Sequence, residues 1–486
     1  MKGSLMKKNI KINEKDNVMV MLEATDTVPA GHKAALTDIP EGAPVIKYGN
    51  VIGYAKCDIR KGDWVHVHNV RTGLSGKLEY SYTPAGTELS ETAGARKDAY
   101  FMGYRRKHGV GVRNEIWIIP TVGCVNHIAE SLARRFDGSK PDSIDAVVAM
   151  THPYGCSQMG DDQEHTAMIL GRMASHPNCG GVLLLSLGCE NNNFDHMKPY
   201  LSDIDEERTR FLVCQESENE LEDAAKLIEE LIAIASKDRR EKIPASELIV
   251  GLKCGGSDGF SGITANPLVG LFSDMLVSAG GSTILTEVPE MFGAEQLLMN
   301  RAADKSVFDK TVSLINDFKD YYERNNQVIY ENPSPGNKAG GITTLEDKSL
   351  GCVQKSGSAA VADVLKYGER VCTKGLNLLE GPGNDMVAVT ALAAAGAHLI
   401  LFTTGRGTPL SSPVPTVKVS SNSALAGHKS NWIDFDAGRL VSTGIESAEL
   451  SKEFFDYVLE VASGKLVKSE EAGYHSMTIF KQGVTL

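Results

Sequence analysis

Apolar and polar positions follow two different rhythms along the 486 residues of the chain. Through the first 80 or so they come as short β-rich runs, NVMVML, APVIKYGNVIGYAKCDI and DWVHVHNV, split by Gly and Asp and lacking any helical period. That pattern predicts a small β domain over residues 12–82. The polar stretch YTPAGTELSETAGARKD has the composition of a linker, placed at 83–99. From residue 100 onward, runs of strand length alternate with helical patterns: IWIIPTV precedes HIAESLARRF, DAVVAM and VLLLSL come next, and FLV precedes LEDAAKLIEELIAIASKD. Strand alternating with helix predicts βαβ units and largely parallel sheets, an α/β fold. The charged break SKDRREKIPA, at 236–245, divides a first α/β domain (100–243) from a second (244–486). In the second, ELIVGL, PLVGLFSDMLVSAG, STILTEV and VAVTALAAAGAHLILFTTGRG repeat the rhythm.

Composition narrows the classes of function. Hydrophobic residues make up 42% of the chain and charged residues 23%, an ordinary globular balance. The formal net charge of -12, with no block of Lys and Arg, excludes broad nucleic-acid binding. No apolar run approaches the ~20 residues of a membrane span, and the basic start MKGSLMKKNIKINEKDN has no apolar core behind it, so it does not read as a signal peptide. Nine scattered cysteines, an odd number without a CxxC, read as reduced thiols and predict a cytoplasmic protein. The expected partner is a small molecule, and a large enzyme of this kind is expected to be a homo-oligomer.

In open parallel sheets, ligands bind beyond the carboxyl ends of the strands. The apolar runs of this chain end alike: IWIIPTV leads to Cys124, DAVVAM to Cys156, VLLLSL to Cys189 and ELIVGLK to Cys254. A single such cysteine is as well explained by a tight turn filled with a small buried residue. Four together, beside Asn126, His152, Glu190, Asn191 and Asp258, point toward a metal or catalytic site. Thiolates select iron, zinc or copper(I); three or four would hold an iron–sulfur cluster, and fewer with a histidine would hold one Fe(II).

Other strand ends bring charge. Glu287 and Glu290 lie at and just beyond the end of STILTEV, and Arg406 lies among glycines and threonines in FTTGRGTP, suited to a carboxylate through its two-pronged guanidinium. Lys338 sits in the turn-rich NPSPGNKAGGITTLEDKS, and KCGGSDGFSGITANP offers Ser257 and Asp258 to sugar hydroxyls. Each has a bland alternative, as a helix cap, a structural ion pair or a solvated lysine. In the β domain, His32 and Lys33 sit at a glycine turn, whereas His66 and His68 alternate as they would on one face of a strand, more simply a polar face than a metal pair. EGPGNDMVAV is a weak anion-site signal.

The stretches GHKAALTDI, YRRKHGVGVRNEIWIIPTVGCVN, HPYGCSQMGDD, LGCENN, CGGSDGFSGITANP, TEVPEMFGAEQLLM, ENPSPGNKAGGITTLEDKSLG and FTTGRGTP resemble the altronate and galactarate dehydratase family, from about residue 12 to the carboxyl end. In detail, including the final IFKQGVTL, the altronate branch is nearer. The resemblance implies an amino-terminal β-clip domain of the SAF type followed by two α/β domains. It also implies iron-dependent dehydration of a sugar acid, D-altronate to 2-dehydro-3-deoxy-D-gluconate, with galactarate or another sugar acid as the alternative substrate. The implied cofactor is Fe(2+), replaceable by Mn(2+), with an iron–sulfur cluster as the alternative.

On this reading the metal falls to a subset of Cys124, Cys156, Cys189 and Cys254, and acid–base work to His32, His152, Glu287 or Glu290. Substrate contacts are expected from Lys33, Arg113, Asn126, Ser257, Asp258, Lys338, Arg406 and Thr408. A sugar-acid binder without turnover would have no need of thiols and paired carboxylates at so many strand ends.

Overall fold

The computed structural model describes residues 8–87, 89, 96 and 98–486. Part of the expected linker at 83–99, and residues 1–7, lie outside them. The amino-terminal part is two small antiparallel sheets, one from Asn9–Ile10, Val18–Met21, Lys33–Ala35 and Trp64–Val65, the other from Pro44–Lys47, Asn50–Ala55 and Val70–Arg71. His66 and His68 fall in the turn after Trp64–Val65 rather than on a strand. They therefore share no face: His66 is buried and stacks on Trp64 at 5.3 Å, and His68 is exposed.

The first α/β unit is a four-stranded parallel sheet in the order Val147–Ala149, Glu115–Pro120, Cys179–Ser186, Thr209–Val213. Its middle strands read as near-continuous apolar runs because helices cover both faces of such a sheet. Cys179–Ser186 is buried at every position. The helix Glu220–Ala235 covers one face, capped by the Asn219 side chain and packed through Ala224, Ala225, Ile228, Leu231 and Ala235.

The charged break does more than separate two sheets. Residues Glu241–Pro244 within it pair antiparallel with Tyr100–Arg106, so the two ends of this unit meet. The last unit is a seven-stranded parallel sheet in the order Val361–Leu365, Gly375–Leu379, Ser282–Leu285, Ile249–Cys254, Leu399–Thr404, Thr416–Ser420, Phe435–Asp436.

The units share apolar cores. One cluster joins Val45, Ile52 and Val70 of the β domain to Leu345, Leu350 and Phe292; another joins Trp117 and Leu184 to Leu392 and Phe402. The β domain also meets the large sheet through backbone. A Cβ on Gly259 would lie 1.8 Å from the Gly31 carbonyl oxygen, and one on Gly341 would lie 2.5 Å from the same atom. Only glycine admits that contact, and it holds the turn carrying His32 and Lys33 against the loop after Cys254.

Candidate active site

Five residues at or just beyond the carboxyl ends of adjacent strands in the seven-stranded sheet meet in one cluster, buried except for the partly exposed Asp385. Lys253 and Cys254 end one strand, Glu287 and Glu290 come after its neighbour, and Asp385 after the next. The helix Leu345–Cys352 and the short turn after it add Lys348, Cys352 and Lys355. Their spacing of four and then three residues puts all three on one helical face. Thr344 caps this helix, accepting from the Asp347 amide at 3.2 Å.

The contacts are tight. Cys254 Sγ lies 2.9 Å from Glu290 Oε2 and 3.4 Å from Cys352 Sγ. Lys348 Nζ is 2.7 Å from Glu290 Oε1. Lys253 pairs with Glu287, donates to Asp385 Oδ1 at 2.7 Å and to the Cys254 carbonyl at 2.5 Å. The Cys254 amide donates to Glu287 Oε2 at 3.0 Å. Glu287 itself holds a left-handed backbone, φ 71°, unusual away from glycine and the kind of strain that collects at functional sites.

The titration pattern arises from this crowding. Hydrogen bonding from Cys352 lowers Cys254 to about 6, against the opposing effect of burial. Cys352, bonded to that thiolate and buried, is pushed well above its ordinary value. Burial would raise Glu290, but Lys348, Lys253 and Lys355 outweigh it and hold the carboxyl well below the usual range. Glu287 rises well above it, through burial and then the charges of Cys254 and Glu290.

Counted as charges, four buried acidic groups (Cys254, Cys352, Glu287, Glu290) and the partly exposed Asp385 face three lysines (Lys253, Lys348, Lys355), an excess of two negative charges when all are ionised. Without a metal, the two groups pushed upward, Glu287 and Cys352, keep their protons and remove that excess. A divalent cation would remove it equally well. Cys254, Glu290 and Cys352 each offer a ligand atom, all within 4.8 Å of one another, and two thiols with a carboxylate suit iron. The residues therefore fit the implied metal.

Apart from Asp385 the cluster is buried, and a cleft of about 280 Å³ between the β domain and the segment 330–345 touches its edge at Asn332, the partner of Lys348. Lys56, Arg71, Tyr330, Asn332, Lys338 and Thr344 line it. Lys338 makes no ion pair among the described residues, and Arg71 lies over the Tyr54 ring. At its inner wall Asn332 Oδ1 accepts from Lys348 Nζ at 3.1 Å, one residue removed from Glu290. Three cations on one cleft favour an anionic ligand.

Several expected site residues lie elsewhere. Cys124, Cys156 and Cys189 do not join Cys254: they are exposed on the smaller sheet, whereas Cys254 is buried on the larger one. His152 does no acid–base work here, because Nε2 lies 2.8 Å from the Pro120 carbonyl, Nδ1 accepts from the Tyr154 amide, and burial lowers it to about 4. Arg113 is a buried clamp on Glu470 and on the carbonyls of Val461 and Lys465, out of reach of any substrate. Lys33 is likewise committed, to Asp347 and the Gly341 carbonyl.

Other expected residues are engaged in structural hydrogen bonds. Asp258 is buried and filled by Ser261, Ser421 and Asn422, so it ties loops together rather than meeting a sugar hydroxyl. Asn126 donates to the His152 carbonyl at 2.9 Å, holding that loop. His32 accepts from Trp64 Nε1 at Nδ1, which leaves Nε2–H facing the Ala339 carbonyl at 3.3 Å and no lone pair for a proton. The weak anion signal at EGPGNDMVAV is the capped start of a helix, with Asp385 on Lys253.

Four expected residues stay open to a ligand. Ser257 keeps a buried hydroxyl without a partner among the described residues, and Arg406 is exposed beside Gly256. Thr408 accepts from the Leu410 amide, and Lys338 lines the cleft. Sequence reasoning missed Cys352, Lys348 and Lys355, although the helical spacing of Lys, Cys and Lys along LEDKSLGCVQK was a usable signal.

Family models cover most of the chain. Residues 7–73 match the altronate/galactarate dehydratase SAF domain, 103–236 the second domain of D-galactarate dehydratase/altronate hydrolase, and 245–485 the D-galactarate/altronate dehydratase C-terminal domain. Altronate dehydratase of Bacillus subtilis (strain 168) is 53% identical over 99% of this chain and 100% of its own. Altronate dehydratase of Escherichia coli (strain K12) is 52% identical over 98% and 99%. Galactarate dehydratase (L-threo-forming) of the same organism is 33% identical over 96% and 95%.

Proposed function

The chain belongs to the D-galactarate/altronate dehydratase family and is a hydro-lyase, and from that premise we propose that it dehydrates D-altronate to 2-dehydro-3-deoxy-D-gluconate with Fe(2+) held by Cys254, Glu290 and Cys352. The observation that carries the metal assignment is the excess of negative charge around those three ligand atoms, four buried acids and the partly exposed Asp385 against three lysines. Mn(2+) is the replacement ion. The higher identity to the two altronate dehydratases than to the galactarate enzyme supports altronate over galactarate.

Loss of water from a 2,3-dihydroxy acid needs a base for the C2 proton, an acid for the departing C3 hydroxyl, and positive charge for the enediolate formed between. The ion, when bound, supplies Lewis-acid stabilisation of that charge. Glu287, raised by its surroundings and ionised when the cluster's charge is balanced, takes the C2 proton on its carboxylate. The same carboxyl returns that proton to the C3 hydroxyl, which leaves as water with the C–O electron pair. The enol left behind tautomerises to the 2-keto acid. Lys338 and the other cations of the cleft hold the substrate carboxylate, and the substrate displaces Asn332 from Lys348 on its way in.

The test is preparation without oxygen, with ferrous iron and a reductant, then a metal count and a 2-keto-acid assay across altronate, galactarate and related acids. Full turnover of a metal-free sample, or preference for galactarate, rejects the respective half of the reading. A second measurement addresses the charge balance. Because Glu287 and Cys352 give up protons to the ion, binding at pH 7 should release about two protons per metal, and affinity should rise with pH. A weakly buffered titration showing no proton release contradicts it.

A further inference from the structure

We propose that the cavity between the two α/β units, at the opposite end of the large sheet from Cys254, binds a carboxylate with an apolar body. Its volume is about 630 Å³, within the range of small-molecule sites and more than twice that of the cleft beside Asn332. Its floor is the amino edge of four adjacent parallel strands: Ile249 and Ser282 open two of them, and Lys374 and His398 immediately precede the other two. The length of the strand Ile249–Cys254 therefore sets it apart from the cluster around Cys254, by about 17 Å. The facing wall comes from the first unit, through the turn at His108 and Gly109 and through Pro177.

Two donors at this cavity are left without acceptors. His398 is only 3% exposed, and its Nδ1 accepts from the Ile249 amide at 3.1 Å. The ring proton is thereby fixed on Nε2, which has no hydrogen-bond partner among the described residues. Burial lowers the imidazole to about 4, so at neutral pH it stays an uncharged donor. Arg370 lies on the connection between the strands Val361–Leu365 and Gly375–Leu379. Its Nη2 donates to the Arg172 carbonyl at 2.9 Å and to Ser175 Oγ at 2.7 Å, whereas its buried Nε donates to nothing among the described residues. A buried N–H without an acceptor costs free energy that a bound oxygen would recover.

The charge is unbalanced in the same direction. Arg172 and Arg370 share one carboxylate, that of Asp203, at 3.3 and 4.0 Å. Burial and then the neighbouring Arg172 lower Arg370 to about 10, the mark of a guanidinium short of counter-charge. Glu247, the one acid among the described residues that line the cavity, is already paired with Arg105, and Lys374 at the rim donates to the Ser246 carbonyl. A surplus of positive charge selects an anion, and a carboxylate oxygen accepts from a guanidinium and from an imidazole N–H alike. The side chains of Val110, Pro177, Ile249, Val371 and Ala395 make the rest of the wall apolar, which suits an apolar body rather than a chain of hydroxyl groups.

Cys372 gives a local readout, because it is exposed and lines the cavity. In the full chain loaded with iron, phenylacetate should slow alkylation of Cys372 saturably, by about tenfold at ten times its Kd, and leave the exposed Cys57 of the β domain unchanged. Phenylacetamide, the same body without the charge, and gluconate, the same charge on a polar chain, should not protect Cys372. Arg370→Gln should raise the Kd for phenylacetate by about 10- to 100-fold, the range for a hydrogen bond to a charged group. His398→Asn keeps an acceptor for the Ile249 amide, withdraws the Nε2 donor and should raise it too, which provides a second variant if Arg370→Gln melts below the parent. A Cys372 rate unchanged by phenylacetate in the parent, equal protection by phenylacetamide or gluconate, or protection in both variants equal to that in the parent each overturns the proposal.

Discussion

Glu287→Gln should lower kcat/KM by about 100- to 10,000-fold, the range for loss of a positioned acid–base group, while the chain keeps its iron. The substitution preserves shape and retains an oxygen for either the Lys253 ammonium or the Cys254 amide, so the fold should survive. What it removes is the one carboxyl of the cluster that is pushed up by burial and by its anionic neighbours and lies outside the proposed ligand set. Glu290→Gln separates the two roles. Glu290 belongs to the ligand set and is held as a carboxylate by lysines, so its loss should deplete iron together with turnover.

Metal counts on both variants, alongside steady-state rates, decide the assignment. Iron lost equally from both would make Glu287 a ligand, and full activity of Glu287→Gln would place the base elsewhere. The pH profile provides a further check. Metal-free chain should carry Glu287 protonated at neutral pH, so activity on adding iron should develop more readily as pH rises.

Asp347→Ala should destabilise the protein by about 3–5 kcal/mol, the cost of leaving buried charge without its partner. Asp347 Oδ2 is 2.8 Å from Lys33 Nζ and Oδ1 is 3.0 Å from Lys47 Nζ, with all three side chains almost wholly buried. Two lysines of the β domain thus share one carboxylate on the helix that carries Lys348 and Cys352. Deleting it leaves two buried ammonium groups facing each other. Arg105 makes the opposite case: its pairs with Glu241 and Glu247 are half exposed, and losing them should cost less than about 1 kcal/mol.

The pH dependence of this triad has a definite sign. Burial would raise Asp347, but Lys33 and Lys47 hold it well below the usual carboxylate range, so its stabilisation is full above its unfolded value of about 3.9 and fades as pH falls further. Lys33 is lowered by burial to about 8. Between that value and about 10.4 the unfolded chain binds more protons, so its contribution makes stability rise with pH. Chemical denaturation of parent and Asp347→Ala across pH 3–10 measures both trends. A variant within 1 kcal/mol of the parent at pH 7 would show that the triad is not holding the β domain in place.

The order of short β runs and then alternating strands and helices was legible because the periodicity of burial is local: a residue's neighbours at two or at three and four positions decide which face it takes. The parallel sheets and the shift of texture after residue 82 arise from that. So does the placing of reactive residues at strand ends, since Cys124, Cys156, Cys189, Cys254, Glu287, Glu290 and Arg406 all fall there. The long motifs carried the family as well, because they are read without reference to geometry.

Which strand ends share a site was another matter. Seven strands were written in one order along the chain and stand in another across the sheet, and only that order brings Lys253, Glu287 and Asp385 side by side. The four thiols looked equivalent in sequence, yet they divide between two sheets, three exposed and one buried. Arg113 and His152 sat in motifs that suggested chemistry, and the fold uses both for structure, because a buried guanidinium or imidazole must satisfy its hydrogen bonds wherever the chain places partners. Tertiary contact decided the titration as well: a thiol lowered to about 6 by a hydrogen bond from Cys352, and a carboxyl raised far above its usual range by burial, exist only where distant parts of the chain meet.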